Sequence, residues 1–295
     1  MVVSNKLYTI ADKRKKRGTR RQRGGGDYHI PKKAWAFWDS DAPPKTIQDI
    51  LDNRPTKLVG WESIYLTEKT IDKYIDRNAY PRGYDTLIPA HKADWIRLAL
   101  LEKYGGVWLD AGIIINDVSE LNKIHDIMGQ EKAEAGLFYL SQHGYNNSVP
   151  LYIDNWFIIA PRASPIISKW KSEFERAIAM GFVEYKTQLL KNKRFKLETF
   201  SPTDMTDTYL MPQTCLQKIV QAMPVPPKIL FLDPGHNMFK IHADCSGREN
   251  RVEEEDIECV QNALLNDPET KKLPFIKLRS DDRVGDLDMS KYFES

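Results

Sequence analysis

The stretch from His91 to Asp117, HKADWIRLALLEKYGGVWLDAGIIIND, constrains the chain more than any other. Its first half carries Trp95, Leu98 and Ala99, with Ile96 and Leu101 beside them, at helical spacing. Pro89 suits the first turn of that helix, where its missing N–H would have no partner. A helix is therefore predicted from about Pro89 to Lys103. Gly105 is a natural terminator, and Gly106 lets the backbone turn sharply into the apolar run Val107-Trp108-Leu109. That run reads as a buried strand that delivers one carboxylate, Asp110, to its end. Ile113 to Ile115 forms a second short apolar run.

The same alternation recurs along the chain. Ala34 to Trp38 reads as a buried first strand, and a helix over Thr46 to Leu51 follows the Pro43-Pro44 loop. Ser63 to Leu66 reads as a second strand, with Thr67 capping a helix from Glu68 to Ile75. Tyr152 to Ala160 and Ile229 to Leu232 suit further strands. Ser164 to Ala179, Gln213 to Ala222 and Glu253 to Leu265 suit helices. Strands alternating with helices argue for an α/β layout with a largely parallel sheet. In open sheets of that kind, ligands sit outside the carboxyl ends of the strands. Asp39, Asp41 and Asp110 each stand at such an end.

At 295 residues and 41% hydrophobic, the chain can bury one sizeable core. The net charge of +2 hides an asymmetry: residues 13 to 23, KRKKRGTRRQR, hold eight Lys or Arg and no acid. A disordered basic tail over residues 1–26 and one folded domain over 27–295 are expected. The tail reads either as a solvated extension or as a contact for an anionic polymer or membrane surface. No aromatic residue interrupts it, so it offers no stacking platform for single strands. No apolar run approaches the roughly 20 residues of a membrane span, and no secretory leader is visible. Cys215, Cys245 and Cys259 are too few and too scattered for a disulfide framework. A soluble, cytoplasmic protein with reduced thiols is the expectation.

On the predicted helix, His91, Asp94 and Arg97 follow at three-residue spacing and form a polar stripe. One reading is a solvated Asp–Arg pair, worth less than about 1 kcal/mol. The other is a ligand-facing stripe leading to Asp110. Asp286-Leu287-Asp288 spells D-x-D, but no apolar strand precedes it. His236 and His242 follow the Ile229–Leu232 run, and their spacing to Cys245 and Cys259 fits no standard zinc pattern. No phosphate-binding loop, nucleophile elbow or H-E-x-x-H motif is present.

Taken together, Ala90 or Ala93, Asp94, Arg97, Gly105, Gly106, Trp108 and Asp110 resemble the sugar-binding DXD region of glycosyltransferases. The likeness is to the capsular-polysaccharide-synthesis and mannosyltransferase-like families. Their pattern is a small residue, two positions, Asp, two positions, Arg, an apolar stretch, Gly-Gly, then aromatic–aliphatic–Asp. The resemblance takes in Ala34 to Pro44 and Asn155-Trp156-Phe157, and it thins toward Lys171. It departs at the motif's third position, where many relatives have Asp and this chain has Gly112.

The resemblance implies a GT-A, Rossmann-like fold with a mixed, mainly parallel sheet flanked by helices. It implies a nucleotide-sugar donor, a glycan or other hydroxyl acceptor, and a divalent metal, Mn²⁺ or Mg²⁺, on Asp110. His236 is expected to complete the metal shell. Asp94 is expected to face ribose or sugar hydroxyls, while Arg97 either holds Asp94 or meets a phosphate. Asp39, Ala111, Gly112 and Asn155 are expected beside the donor, and Trp38 either stacks on the base or belongs to the core. Asp154 is the leading second carboxylate for catalysis, ahead of Asp204 and Asp207. A catalytically inactive binder of the same fold is the alternative that Gly112 keeps open. A carboxylate-based glycoside hydrolase fits less well, because no barrel repeat is visible.

Overall fold

The computed structural model describes residues 28–139, 153–192, 194–195, 197, 208–225, 227–232, 238–246, 253–283 and 287–293. The basic tail, His236, Asp204, Asp207 and Asp286 lie outside the described residues.

The first expected strand forms β1 (Lys33–Phe37), buried from Ala34 onward. It pairs in parallel with β2 (Glu62–Leu66) on one side and with β3 (Gly106–Leu109) on the other. Parallel neighbours need a crossover, and α1 (Lys45–Lys57) supplies the first, running longer than the expected Thr46–Leu51. The full order is β2-β1-β3-β6-β5-β7, with β5 (Ala135–Tyr139), β6 (Ile153–Ala160) and β7 (Ile229–Leu232) completing the sheet. β6 runs antiparallel to both neighbours, while β5 and β7 are parallel to each other. The mixed, mainly parallel α/β sheet is thus the expected one, with a single reversed strand near its middle. The reversal sets the start of β6 beside the end of β3: Leu109 pairs with Phe157, and the Asp110 N–H donates to the Trp156 carbonyl at 2.9 Å.

α2 (Pro89–Tyr104) matches its predicted span within a residue, but not its predicted one-sided burial. His91 and every residue from Asp94 to Leu101 are buried. The helix packs against the sheet and against α4 (Pro165–Met180), so its polar stripe is enclosed instead of solvated. The chain then turns through Gly105 and Gly106, at φ 69° and 100°. Trp35 of β1 donates its indole N–H to the Gly105 carbonyl at 2.9 Å. A Cβ on Gly106 would lie 2.4 Å from the Lys33 carbonyl oxygen, which is fixed in β1. Gly106→Ala is therefore expected to lose about 2–4 kcal/mol, from left-handed strain plus overpacking. Urea unfolding measures this, and an unmoved midpoint would contradict the reading of this turn.

Two expectations need correction. The predicted helix Glu68–Ile75 is a short 3₁₀ turn at Ile71–Lys73. Thr67 gives its N–H to Thr70 Oγ1 at 2.8 Å, and Asp76 accepts from the Asn78 N–H at 2.9 Å. Such local side-chain bonds compete with a helical ladder. The cysteines are also not all free. A disulfide joins Cys245 of α7 (Lys240–Ser246) to Cys259 of α8 (Glu253–Asn266), while Cys215 is free and buried. The two packed helices bring the Cα atoms within 5.8 Å, which the spacing of 14 residues conceals.

Several elements had no sequence forecast. They include α3 (Val118–Glu131), α5 (Phe182–Lys191), β5 and β8 (Phe275–Lys277). β8 pairs antiparallel with β4 (Ile113–Ile115), which returns the C-terminal segment to the neighbourhood of Asp110. α6 (Met211–Ala222) forms as expected. Among the described residues, no helix is long and apolar enough to cross a membrane.

Candidate functional site

A cavity of about 620 Å³ opens where the parallel strands end, within the usual range for small-molecule sites. β1 hands Trp38 and Asp39 to its wall, and β3 hands over Asp110, Ala111 and Gly112. α2 contributes Asp94 and Arg97. β6 contributes Asp154 and Asn155, because its reversed direction brings its first residues to this edge. Every described residue expected at the donor site therefore lines this one cavity.

Other candidates lie elsewhere. Asp41 pairs with Lys69 at the surface. Asp288 pairs with Lys45 at 3.2 Å and binds Ser290, so the DLD triplet's described acid serves local structure. His91 meets the Tyr209 carbonyl at 3.2 Å, and burial lowers its pKa. His242 is buried against Asp282 at 2.7 Å and does not line the cavity.

Arg97 organises the site. Its Nη2 lies 3.2 Å from Asp94 Oδ1 and 3.3 Å from Asp110 Oδ1. Its Nη1 donates to the Asn155 carbonyl at 2.5 Å, and its guanidinium stands 5.0 Å from the Trp108 ring centroid. Asn155 Nδ2 donates to Asp94 Oδ1 at 2.8 Å. Arg97 thus holds Asp94, the first of its two expected roles, and also faces the cavity. The Asp94 and Arg97 side chains are only 9% and 5% exposed, which overturns the solvated-pair reading.

The three acids differ in their ionisation. Burial pushes the Asp94 carboxyl up to about 6 against the pull of Arg97. Burial also lifts Asp154 to about 6, with Lys277 opposing it. Burial acts on Asp110 too, but Lys277, Arg97 and the Trp108 indole N–H at 2.9 Å outweigh it. Asp110 therefore sits below the usual carboxylate range and is ionised at neutral pH.

Behind the cavity, the buried Arg54 of α1 pins the Asp110-Ala111-Gly112 turn. It donates to the carbonyls of Leu109 at 3.3 Å, Asp110 at 2.9 Å, Ala111 at 3.1 Å and Ile113 at 2.9 Å. Burial lowers its pKa to about 10, so it stays charged.

Sequence reasoning missed the opposite lip. Lys277, Arg279 and Arg283 line the cavity from the C-terminal segment. Lys277 Nζ lies 3.3 Å from Asp110 Oδ2. Arg283 stands 5.6 Å from the Trp38 ring centroid, which places Trp38 in the half-buried cavity wall. Gln213 of α6 is also in the wall, buried, and its Oε1 has no hydrogen-bond partner among the described residues. The available signal was the basic spacing in KLRSDDR, directly after the apolar pair Phe275-Ile276.

Among the described residues, no three His, Cys, Asp or Glu side chains gather as a metal cage. Asp110 nonetheless suits a divalent ion shared with a ligand's phosphates. It is ionised, its side chain is 26% exposed, and it opens on the cavity. Gly112 adds no ligand, and a Cβ there would lie 3.1 Å from the Leu278 carbonyl and 3.8 Å from the Arg283 side chain.

The chain is 27% identical over 163 residues to the O-glycosyltransferase braB of Annulohypoxylon truncatum, covering 49% of this chain and 37% of that protein. It is 23% identical over 168 residues to the O-glycosyltransferase PaGT of Phomopsis amygdali, covering 48% and 38%. The match thus spans well under half the length of these curated relatives. Among solved structures, a glycosyltransferase involved in glycosylation of the major capsid of PBCV-1 aligns at a TM-score of 0.40 and 12% identity, over 89% of this chain and 98% of that one. The model of the capsular polysaccharide synthesis protein family matches residues 4–178, more than half of the chain and all of the motif region from Asp94 to Asp154. The chain belongs to the capsular polysaccharide synthesis protein family.

Proposed function

We propose that this chain is a GT-A-type glycosyltransferase that moves a sugar from a nucleoside-diphosphate sugar to an acceptor hydroxyl, with a divalent cation, Mn²⁺ or Mg²⁺, at Asp110. The observation that carries this reading is the meeting of an ionised Asp110 with three cations, Lys277, Arg279 and Arg283, across one cavity. The cationic lip suits a diphosphate, and the carboxylates of the opposite wall suit hydroxyls. The named activities of braB and PaGT support the same reaction class.

In this reading, Trp38 and Asp39 flank the base and ribose. Asp94, oriented by Arg97 and Asn155, accepts hydrogen bonds from hydroxyls of the donor. Lys277 and Arg283 face the diphosphate and offset the charge that grows as the glycosidic bond breaks. A cation on Asp110 would add Lewis acidity toward the leaving diphosphate. Asp154, at the start of β6, takes the proton of the acceptor hydroxyl.

That last role fixes a pH dependence. A base must be deprotonated, and burial holds the Asp154 carboxyl up at about 6. The transfer rate is expected to rise with pH through that value and to level off above it. The profile of kcat/KM would keep this limb in Asp94→Asn, which removes the other acid raised to about 6, and would lose it in the double variant Asp94→Asn/Asp154→Asn. A limb that persists in the double variant would give the base role to another group.

The donor assignment is tested by thermal shift with UDP-, GDP-, CMP- and dTDP-sugars, each with and without Mn²⁺. A ligand at about 100 times its Kd stabilises the folded state by about 2.7 kcal/mol. One of the three diphosphate classes is expected to raise Tm above the rest and above the monophosphate CMP-sugar. No shift with any of them would refute the nucleotide-sugar reading.

A further inference from the structure

Lys277 stands where the reading above puts a divalent ion. It closes β8, whose pairing with β4 holds it across from the Asp110 turn. Its backbone N–H donates to the Met238 carbonyl at 3.0 Å. Its ammonium donates to the Leu278 carbonyl at 3.2 Å and lies 3.3 Å from Asp110 Oδ2. Its charge also reaches Asp154. The side chain is 13% exposed.

Asp110 is therefore neutralised on both oxygens, by Arg97 and Trp108 on Oδ1 and by Lys277 on Oδ2. A free divalent ion arriving there must displace an ammonium and settle beside a guanidinium. Repulsion between like charges at such range is several-fold stronger at a half-buried site than in water. The cavity offers little in return, because Gly112 brings no second carboxylate and no third ligand gathers among the described residues. A diphosphate alters the balance: it adds negative charge and gives Lys277 another acceptor.

We propose that Lys277 is a built-in placeholder cation that keeps divalent ions off Asp110 until a diphosphate enters. The role of the diphosphate rests on the donor reading above, whereas the contest between Lys277 and the metal at Asp110 does not. The groups the ammonium touches, Asp110 and the Leu278 carbonyl, would gain freedom to meet a metal once it is removed.

The test titrates Mn²⁺ alone into the full chain, by calorimetry and by the electron paramagnetic resonance signal of free Mn²⁺. Lys277→Met keeps the stem and removes the charge, and Lys277→Arg keeps the charge; circular dichroism checks that both fold. The expected result is no measurable Mn²⁺ uptake by the wild type or Lys277→Arg, and uptake at least about tenfold tighter by Lys277→Met. Added UDP or GDP is expected to let the wild type take up Mn²⁺ too. Equal uptake of Mn²⁺ alone by the wild type and Lys277→Met would overturn the inference, as would a gain in Lys277→Arg. If Lys277→Met gains affinity but no nucleotide of the thermal-shift panel binds any variant, the contest between Lys277 and the metal stands and the donor reading fails.

Discussion

Asp110→Asn is expected to lower sugar transfer by about a thousandfold while leaving the protein folded. Asn keeps the shape of the side chain and an oxygen that can accept from the Trp108 indole. What it removes is the charge, which in the wild type is set by Lys277 and Arg97 against the cost of burial. Lys277 then has no carboxylate at Oδ2, and any cation loses its one firm anchor. Hydrolysis of the donor in the absence of acceptor should fall in parallel, because both reactions expel the same leaving group. Both rates can be followed by mass spectrometry, with the urea midpoint as a control for folding. Asn is preferred to Ala, which would also open a gap beside two cations. Undiminished turnover in Asp110→Asn would place the reacting centre elsewhere.

Arg97→Met is expected to destabilise the fold by about 3–5 kcal/mol, the usual cost of breaking a buried ion pair from one side. Arg97 is 4% exposed and serves Asp94, Asp110 and the Asn155 carbonyl together. Its loss leaves two acids without their shared counter-charge. The Asp94 carboxyl, already raised to about 6 by burial, loses the charge that holds it down and climbs further. Arg97→Lys should recover only part of the stability, since one ammonium cannot reach three acceptors in a planar fork. Chemical denaturation of the three proteins measures this, and Arg97→Met with the wild-type midpoint would show that the network is not structural.

The central unit was legible because its signals are local. Gly105-Gly106 between a helix and an aromatic-rich strand leaves few backbone alternatives, and Asp110 follows directly. The direction of β6 was not legible, since an apolar run has no polarity in its pattern. Only the antiparallel pairing explains why Asp154 and Asn155 reach the same edge as Asp110. The enclosure of Asp94 and Arg97 was equally hidden. The periodicity of α2 shows one apolar face but not that Asp94 and Arg97 are enclosed against the ends of β3 and β6. The cationic lip rests on a strand of three residues, too short to show a period. Its partner, β4, lies far away in sequence. The disulfide between Cys245 and Cys259 likewise depends on how α7 meets α8.

The most direct measurement is a crystal structure of the full chain with whichever nucleoside diphosphate gives the largest thermal shift, grown with Mn²⁺. The expected density has the two phosphates between Asp110 and the side chains of Lys277 and Arg283, with the ammonium of Lys277 moved from Asp110 onto a phosphate oxygen. A diphosphate bound anywhere outside this cavity, with the Asp110–Lys277 pair intact, would contradict the assignment of the site.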